Sequence, residues 1–291
     1  MTEKVRLEVL TTPSIGDGVR RQIEKTIETN RTRFDFIMKQ VPHMESAIET
    51  LQNGRGDLLA MSAHQWKDLA HKGLAVVGVL PRREPTWVLV SEDKPEYLKS
   101  KAIVVCDHIL LRRQMRRLRA DLRLMSSEDF ANFIAKGEAY AALDPEDRTH
   151  WLEELRQDEV LDGYIVSRGV HAELKFKARR HTLGLQRENP ERTHFVPPPL
   201  HGFTLLVARN GFPSESVQVM CDNGAFISHR MEVAFLASIP EELHKITGIF
   251  VEQRKISAIL REANRSNDEH TLEGVLNIDK RVKDPSPRLE M

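Results

Sequence analysis

The chain has 291 residues, of which 40% are hydrophobic and 30% charged, enough for two or three units with their own cores. Forty-three basic residues balance 43 acidic ones, so no global field draws the chain to nucleic acid or to a membrane. Cys106 and Cys221 form neither a disulfide framework nor a C-x-x-C metal motif, and MTEKVRLEVLTT lacks the apolar core of a signal peptide. No apolar run reaches the ~20 residues that span a bilayer, and we expect a soluble cytoplasmic protein.

Strands and helices alternate in the first part of the chain. VRLEVL is typical of a strand, and the next segment places Ile15, Val19, Ile23 and Ile27 at helical spacing. RFDFIMKQV predicts a strand, MESAIETLQNG a helix that Gly54 ends, and DLLAMSA, LAVVGVL and TWVLVSE three more strands. This order predicts an α/β unit with a largely parallel sheet, which FVPPPLHGFTLLVARNG rejoins with a late strand.

A second α/β unit and a smaller third one follow. AIVVC, LRLM and AYAALD predict strands, and ILLRRQMRRLRADL and SEDFANFIAKG predict helices, before a charge-rich stretch with two further helices. HRMEVAFLASI predicts a helix, and ITGIFVEQRKISAILREANR and TLEGVLNIDKRV predict the strands of a hairpin. We therefore expect domain 1 at 1–92 and 194–212, domain 2 at 93–193, a small α+β domain 3 at 213–284, and a disordered tail at 285–291.

Four strings, in this order, carry a resemblance to a known family. They are GDLLAMSAHQWKDLAHKGLAVVGVLPRREP, AIVVCDHILLRRQMRRLRADLRL, FVPPPLHGFTLLVA and HRMEVAFLASI. They resemble the D-L-A-V-H-S-x-K-D-L-P, S-S-L-R-R-Q, V-P-A-P-G-Q-G-A-L and A-E-R-A-F-L segments of hydroxymethylbilane synthase, also called porphobilinogen deaminase. The resemblance implies two domains of the type II periplasmic-binding-protein kind with a cleft between them, plus a small third domain.

The resemblance also implies a chemistry. Active members are transferases that polymerise porphobilinogen on a dipyrromethane primer, which a cysteine of the third domain holds through a thioether. An aspartate of the K-D pair handles protons at the pyrrole nitrogens, and arginines hold the carboxylates of the substrate.

The catalytic aspartate has no counterpart when the first string is aligned without gaps from Asp57 to Gly73. The family serine then falls on Ser62, its lysine on His64 and its aspartate on Gln65, while Lys67 and Asp68 lie on the following helix. An amide has no proton to exchange near neutral pH, whereas general acid–base catalysis contributes roughly 10²–10⁴-fold in rate. A gapped alignment that makes Asp68 the carboxylate remains the alternative.

Other parts of the family's site are altered as well. Leu243 or His244 stands where the cofactor cysteine is expected, so we expect no dipyrromethane cofactor. Thr12 replaces an arginine of the N-terminal motif, SSEDFANF and VPHME replace segments rich in arginine or glycine, and LHG replaces the G-Q-G turn. The twelve histidines show no ligand spacing, so we expect no metal.

The surviving polar residues still predict a cleft that attracts anions, because guanidinium groups and helix N-termini both bind carboxylates. Each has a plainer interpretation: the serines as N-caps, the run of six arginines from Arg112 to Arg123 as a solvated helix face, and His64 as a partly exposed neutral side chain. The candidate ligand-binding residues are Ser14, Ser62, His64, Gln65, Arg112 and Arg113.

Three hypotheses remain open. In the first, the chain is a catalytically degenerate relative of hydroxymethylbilane synthase that binds a small carboxylated anion, such as a pyrrole or tetrapyrrole, or that serves through a protein partner. In the second, it is an active deaminase that uses Asp68. In the third, it is a small-molecule sensor of the periplasmic-binding-protein type. None of them involves nucleic acid or a membrane.

Overall fold

The structure is a computed structural model that describes residues 4–13, 17–69, 72–174, 177–185, 194–277 and 280–281. The chain divides into two compact units, Met1–Val251 and Glu252–Met291. Ser14 and the expected disordered tail lie outside the described residues.

The first unit contains ten strands and nine helices among its described residues. In chain order they are β1 (Val5–Thr11), α1 (Val19–Asn30), β2 (Phe34–Gln40), α2 (Met44–Gln52), β3 (Leu58–Ser62), α3 (Ala63–Asp68), β4 (Leu74–Val79), β5 (Trp87–Ser91), β6 (Ile103–Val105), α4 (Ile109–Leu118), β7 (Arg123–Met125), α5 (Ser127–Phe133), α6 (Gly137–Ala141), α7 (Pro145–Gln157), β8 (Gly163–Ser167), α8 (Arg168–Leu174), β9 (Arg180–Leu183), β10 (Thr204–Arg209) and α9 (Asn223–Ala237).

The strands form two five-stranded sheets, each the centre of one α/β lobe. The first lobe has the order β2-β1-β3-β10-β4, with β10 antiparallel to both of its neighbours. The second has the order β7-β6-β8-β5-β9, with β5 antiparallel to both of its neighbours. The chain crosses between the lobes twice, after β4 and before β10; the sequence predicted two crossings but placed the first one after residue 92.

Each sheet is covered on both faces, and this explains why its central strands are apolar throughout. All five residues of β3 are buried, and β10 is buried at every position except Arg209. Separate apolar clusters lie on the two faces of the first sheet, and two more lie on the faces of the second. Strands buried on both faces lose the alternation of apolar and polar residues that marks a half-exposed strand.

Several expected elements belong elsewhere or have another structure. The strand β5 pairs only in the second sheet, so the boundary expected at residue 92 lies after a strand that belongs to the second lobe. AYAALD was expected as a strand, but its first three residues form the end of α6. The charge-rich stretch does hold helices, α7 and α8, but it also holds β8, a central strand that the sequence analysis missed.

The expected α+β domain 3 is corrected in two ways. Helix α9 packs through Ala225 and Leu236 into the core of the first lobe. The segments expected as a hairpin instead form α10 (Ile256–Ser266) and α11 (Glu269–Val275) in the second compact unit. Apolar residues three and four apart favour a helix in α10, and the Asp268 side chain caps α11 by accepting a hydrogen bond from the Thr271 N–H.

Candidate functional site

The carboxyl ends of the parallel strands of both lobes face the same region, where the two crossover segments also pass. Ligands of open α/β sheets bind outside such strand ends. The Arg83 guanidinium of the first crossover lies between the lobes and donates a hydrogen bond to the Asp17 carbonyl oxygen. A methyl group added at Gly18 of the first lobe would clash with this guanidinium, and one added at Gly169 of the second would lie 3.5 Å from it. The two lobes therefore approach each other around the Arg83 guanidinium.

Two of the sequence-predicted binding residues form a capping box at the start of α3. The Ser62 hydroxyl accepts a hydrogen bond from the Gln65 N–H at 3.3 Å, and the Gln65 Oε1 accepts one from the Ser62 N–H at 3.1 Å. The hydroxyl also donates to the same Oε1 at 3.1 Å. This reciprocal pairing satisfies free backbone donors at a helix start. The N-cap interpretation of Ser62 thus accounts for its contacts, and the Gln65 side chain accepts its hydrogen bonds from Ser62.

His64 lies on α3 and has an exposed surface, although protein atoms crowd around its ring. This crowding lowers the pKa of His64, the Asp68 carboxylate opposes the effect by raising it, and Lys67 lowers it further. Asp68 is exposed at the last position of α3, one helical turn after His64. Its proximity to His64 is the feature that the alternative with a rearranged catalytic carboxylate would need.

The two arginines of the R-R pair have different environments. Arg112 folds back and donates from Nη1 to the Cys106 carbonyl oxygen at 2.6 Å, which fixes its charge beside the end of β6. Arg113 is exposed. Adjacent residues of a helix point in directions about 100° apart, so one pair cannot present both guanidinium groups to one small ligand without rearrangement.

Three aromatic rings that were not among the predicted binding residues lie together at these strand ends. Trp87, the first residue of β5, lies with its ring centroid 5.1 Å from that of His201, nearly stacked, and 5.6 Å from that of His108 in an edge-on arrangement. His108 follows β6 in the second lobe, and His201 precedes β10 on the second crossover. We call these three residues the Trp87 cluster.

The histidines of the Trp87 cluster are held neutral. Burial lowers the pKa of His108 to about 4, with further lowering by His64 and Arg112. Burial likewise lowers the pKa of His201 to about 3, with contributions from His64, Arg83, Arg82 and His108. Because each of these groups acts on the others, His64 of the first lobe also belongs to the neighbourhood of the cluster.

Four buried polar atoms at these strand ends have no hydrogen-bond partner among the described residues. Two belong to the Trp87 cluster, Trp87 Nε1 and His108 Nδ1. The other two are the hydroxyls of Thr11 at the end of β1 and Thr204 at the start of β10, and both residues are at least 99% buried. Buried polar groups are nearly always hydrogen-bonded in native proteins, so unpartnered atoms at one end of a fold indicate a place for a ligand or ordered water.

A hydrogen-bonded ion pair contacts the Trp87 cluster through the backbone of His201. The Glu232 carboxylate of α9 is completely buried and accepts hydrogen bonds from Arg82 Nη1 at 2.7 Å, the Leu200 N–H at 2.7 Å and the Val251 N–H at 2.9 Å. Arg82 also donates to the His201 carbonyl oxygen from Nε and Nη2, at 3.0 and 2.8 Å. We call the Arg82–Glu232 pair and its bonded backbone groups the Arg82 junction.

The turn that contains His201 has an unusual backbone. Leu200 has a φ of 65° and Gly202 a φ of 85°, both in the left-handed region that favours glycine. These are the two glycine positions of the G-Q-G turn to which LHG was compared. The bond from the Leu200 N–H to Glu232 holds the leucine in this conformation, so the Arg82 junction also fixes the position of His201.

The residues at the expected cofactor position take part in polar and surface contacts. His244 Nε2 lies 2.9 Å from the Ile239 carbonyl oxygen, and its Nδ1 lies 3.2 Å from Lys67 Nζ. These contacts require the tautomer in which Nε2 carries the hydrogen and Nδ1 accepts from Lys67. Leu243 is 41% exposed. Lys67 is thus directed towards the turn at 241–246.

Within the described part of the chain, no group of three or more His, Cys, Asp or Glu side chains could hold a metal ion. No helix in the same residues is long and apolar enough to cross a membrane.

Comparisons with known proteins return only distant likenesses in structure. No protein-family model matches the chain, and no curated protein matches it. The ligand-binding component of an ABC-type import system from Staphylococcus aureus, with zinc bound, is 13% identical over 96% of this chain and 97% of its own, with a TM-score of 0.35. The periplasmic aliphatic sulphonate binding protein SsuA from Escherichia coli is 14% identical over 96% and 98%, with a TM-score of 0.37. The reduced regulatory domain of OxyR2 from Vibrio vulnificus is 12% identical over 75% and 92%, with a TM-score of 0.34.

The class of the protein rests on its own strand order, because TM-scores this low carry no argument. Each sheet has three parallel strands in the order 2-1-3, then an antiparallel strand contributed at a crossover, then a fourth strand. Two such lobes, with their strand ends facing one another and two connecting segments, have the type II periplasmic-binding-protein fold. The expected fold class is confirmed for the two lobes, whereas the resemblance to hydroxymethylbilane synthase stays a prediction.

Proposed function

We propose that the chain is a ligand-binding protein that holds a small carboxylated anion in the cleft between its two lobes. The observation that carries this proposal is the set of four buried polar atoms at the strand ends, contributed by both lobes, that have no partner among the described residues. A ligand that bridges them would satisfy donors and acceptors that folding has already removed from water. Arg82, Arg83 and Arg112 place positive charge around the same region, and a carboxylate would complement it.

Binding without catalysis is the simpler function for this cleft. Gln65, at the family's aspartate position in the ungapped alignment, is a neutral amide committed to the capping box. The buried carboxylate of Glu232 is committed to Arg82 and two backbone N–H groups. A sensor or binding module of the third hypothesis needs no proton-transferring acid, and this favours it over a deaminase. Pyrroles and tetrapyrroles with carboxylate side chains remain the first ligands to try, because the sequence resemblance suggests them.

Thermal unfolding of the purified chain with a panel of ligands tests the proposal. The panel contains porphobilinogen, aliphatic and aromatic dicarboxylates, amino acids and inorganic anions. A ligand at 100 times its Kd stabilises the folded state by about 2.7 kcal/mol, which shifts the midpoint measurably. A carboxylate whose effect is clearly smaller in Thr11→Val and in Trp87→Phe supports binding in the cleft. If no member shifts the midpoint, or if the variants respond as the parent does, the proposal is wrong.

The second hypothesis keeps one specific observation in its favour, the Asp68 carboxylate beside His64. Incubation with porphobilinogen tests it directly. Formation of hydroxymethylbilane that Asp68→Asn abolishes and Glu24→Gln retains would identify an active deaminase. An intact mass equal to that of the bare polypeptide, together with no product, would exclude this alternative.

A further inference from the structure

A cavity lies along the outer edge of β4, which the strand order places at the edge of the first sheet next to β10. The chain that leaves β10 is bonded to both ends of β4. The Asn210 N–H donates to the Gly73 carbonyl oxygen at 2.9 Å just before the strand, and the Asp222 N–H donates to the Val79 carbonyl oxygen at 2.8 Å at its end. Between these points the cavity has a volume of about 320 Å³, at the lower end of the range for small-molecule sites.

The lining of this β4 cavity is apolar where it is covered and polar where it meets the solvent. The half-buried apolar members include Val76, Val77, Phe212 and Phe226. The exposed polar members are Asn210, Ser214, Gln218 and Asn223, and their side chains make no hydrogen bond with any residue that the structure describes. An apolar site with a few polar groups at its rim is the usual composition of a small-molecule site.

The charge of the lining lies on the far side of β10. Among the described residues that line the cavity, Arg209 alone is charged. Its Nη1 donates to the Leu51 and Gly56 carbonyl oxygens at 2.8 and 2.9 Å, which holds the guanidinium at the turn between α2 and β3. Since β10 lies between β3 and β4, the guanidinium is directed away from the outer edge of β4. A charged ligand would lose hydration without a facing counter-ion, so the cavity favours a neutral one.

The backbone of β4 is irregular beside the cavity. Leu206 and Val207 are consecutive on β10, yet they pair with Gly78 and Val76, so Val77 has no counterpart. The extra residue of such a bulge stays outside the regular ladder of hydrogen bonds. The backbone of Val77 therefore adds neutral amide groups to the carboxamides of the rim.

The two cysteines differ in their relation to the cavity. Cys221 is half-buried and lines it, and a Cβ added at Gly78 would overlap its Sγ. Glycine at position 78 thus leaves room for the thiol beside β4. Cys106 is 1% exposed and lies in the core of the second lobe. Labelling of Cys221 therefore reports on the cavity, and labelling of Cys106 reports on unfolding.

We infer that the β4 cavity is a second binding site, for a small neutral amide. The N–H and C=O groups of such a ligand pair with the side chains of Gln218 and Asn223 and with the irregular backbone of β4, since carboxamides both donate and accept. Its apolar part packs against Phe212 and Phe226. The segment bonded to both ends of β4 covers the edge, so the ligand is a small molecule and not an added strand of another protein. The inference does not depend on the proposed function.

Protection of Cys221 from alkylation tests the inference, with N-acetylvaline amide as the probe. Iodoacetamide is added to the full chain, and mass spectrometry follows each cysteine as its thiolate displaces iodide and forms a thioether. Burial raises the pKa of Cys221 to about 11, so labelling is slow and easily timed. At a probe concentration of about four times its Kd, the labelling rate of Cys221 should fall about fivefold. Cys106 should remain unlabelled.

Matched probes and variants define the site. N-acetylvalinate has the same shape but carries a carboxylate, and it should require about tenfold more to give equal protection. Gln218→Ala and Asn223→Ala should each raise the concentration for half protection by about twofold to tenfold, because each removes one hydrogen-bonding side chain. Gln253→Ala is the control, since Gln253 is exposed and outside the lining, and it should behave as the parent does.

Three outcomes would overturn the inference. Labelling of Cys221 that is unchanged up to the solubility limit of the amide excludes the site. Equal protection by the amide and by N-acetylvalinate excludes a neutral ligand, and an unchanged response in both carboxamide variants excludes their role. If Cys106 becomes labelled in a variant, that variant is unfolded, and the two probes on the parent chain decide. The lining shares no residue with the Trp87 cluster, so failure here leaves the proposed function to its own ligand panel.

Discussion

The Arg82 junction and the Trp87 cluster are separated by only a few residues along the first crossover, yet they differ in how their buried polar atoms are hydrogen-bonded. In the junction, the Glu232 carboxylate is fully buried and accepts three hydrogen bonds, and the Arg82 guanidinium lies 3.9 Å from the centroid of the Phe203 ring. In the cluster, Trp87 Nε1 and His108 Nδ1 are buried and have no partner among the described residues.

This difference indicates that the Arg82 junction stabilises the fold, whereas the Trp87 cluster has hydrogen-bonding groups that a ligand can use. A satisfied buried ion pair fixes one geometry, and removal of either partner is costly even where the pair itself adds little net stability. An unsatisfied polar atom lowers the stability of the free protein and returns that free energy when a ligand supplies the bond. Substitutions in the two groups should therefore have different consequences: loss of stability in the Arg82 junction and loss of ligand affinity in the Trp87 cluster.

Glu232→Ala should destabilise the protein most. It leaves the Arg82 charge and the N–H groups of Leu200 and Val251 without their acceptor, and loss of one partner of a buried pair costs about 3–5 kcal/mol. Chemical denaturation measures the change in the free energy of unfolding. Glu24→Ala is the control: Glu24 pairs with Arg20 on the surface of α1, and its loss should cost less than about 0.5 kcal/mol. Equal effects of the two substitutions would contradict the structural role of the junction.

Lowering the pH should be the next largest perturbation. The pKa of His108 and of His229 is about 4 in the folded protein and that of His201 about 3, all below the ordinary value of 6.5, and burial is the main cause. The unfolded chain therefore binds more protons below pH 6.5, so stability is fully present above that pH and is lost as the pH falls towards 4. Each histidine contributes a slope of at most about 1.4 kcal/mol per pH unit.

The observed loss should be smaller than the sum of these slopes. His108 and His201 are half-buried residues, so solvent screens part of the effect, and Glu232, whose pKa burial raises, works in the opposite direction. We expect a decrease of about 2 kcal/mol in the free energy of unfolding between pH 6.5 and pH 5. His229→Leu isolates one contribution, because neither ring nitrogen of His229 has a partner among the described residues. It should reduce the acid sensitivity, and an unchanged pH profile would show that His229 titrates normally.

The sequence was informative where a signal is local. The buried strand β3 and the helix after it follow from DLLAMSA and the residues next to it, and the spacing of Ser62 and Gln65 is that of a capping box. The two crossings between the lobes were also predicted. The sequence did not distinguish helix from strand in short apolar segments. Residues of α6, α10 and α11 were expected in strands because periodicity is ambiguous over so few residues.

The Trp87 cluster could not be predicted because nothing local marks it. Trp87 begins a strand, His108 follows a different strand, and His201 lies in the turn that replaces G-Q-G, so only the assembled sheets bring them together. The placement of β5 in the second sheet matters most, since the expected boundary at residue 92 assigned Trp87 to the first lobe. Family comparison directed attention to Gln65 and Arg113, which the structure places in a helix cap and on the surface.

Trp87→Phe should weaken ligand binding while leaving the fold intact. Phenylalanine keeps an aromatic ring next to His201 but removes the buried N–H, and the loss of one hydrogen bond to a charged acceptor costs about 1.5 kcal/mol, or roughly tenfold in Kd. Calorimetric titration with the best carboxylate of the panel measures it. Trp151→Phe, in the core of the second lobe, is the control and should bind as the parent does. If Trp87→Phe also binds as the parent does, the indole N–H does not touch the ligand.

Ser62→Ala should give the smallest effect. It tests whether a polar residue at the cleft that is already hydrogen-bonded takes part in binding, because the hydrogen bonds of Ser62 are made with the backbone of α3 and with Gln65. Removing the hydroxyl deletes the side-chain half of the capping box and should lower the free energy of unfolding by about 1 kcal/mol. Ligand affinity should change less than about twofold, since no ligand is needed to satisfy this group. Ser126→Ala removes the matching cap of α5 in the second lobe and should cost a similar amount. A large loss of affinity in Ser62→Ala with normal stability would instead mean that the hydroxyl leaves the cap to bind the ligand. In that case, the hydrogen bonds seen in the free protein would not distinguish structural residues from ligand-binding ones.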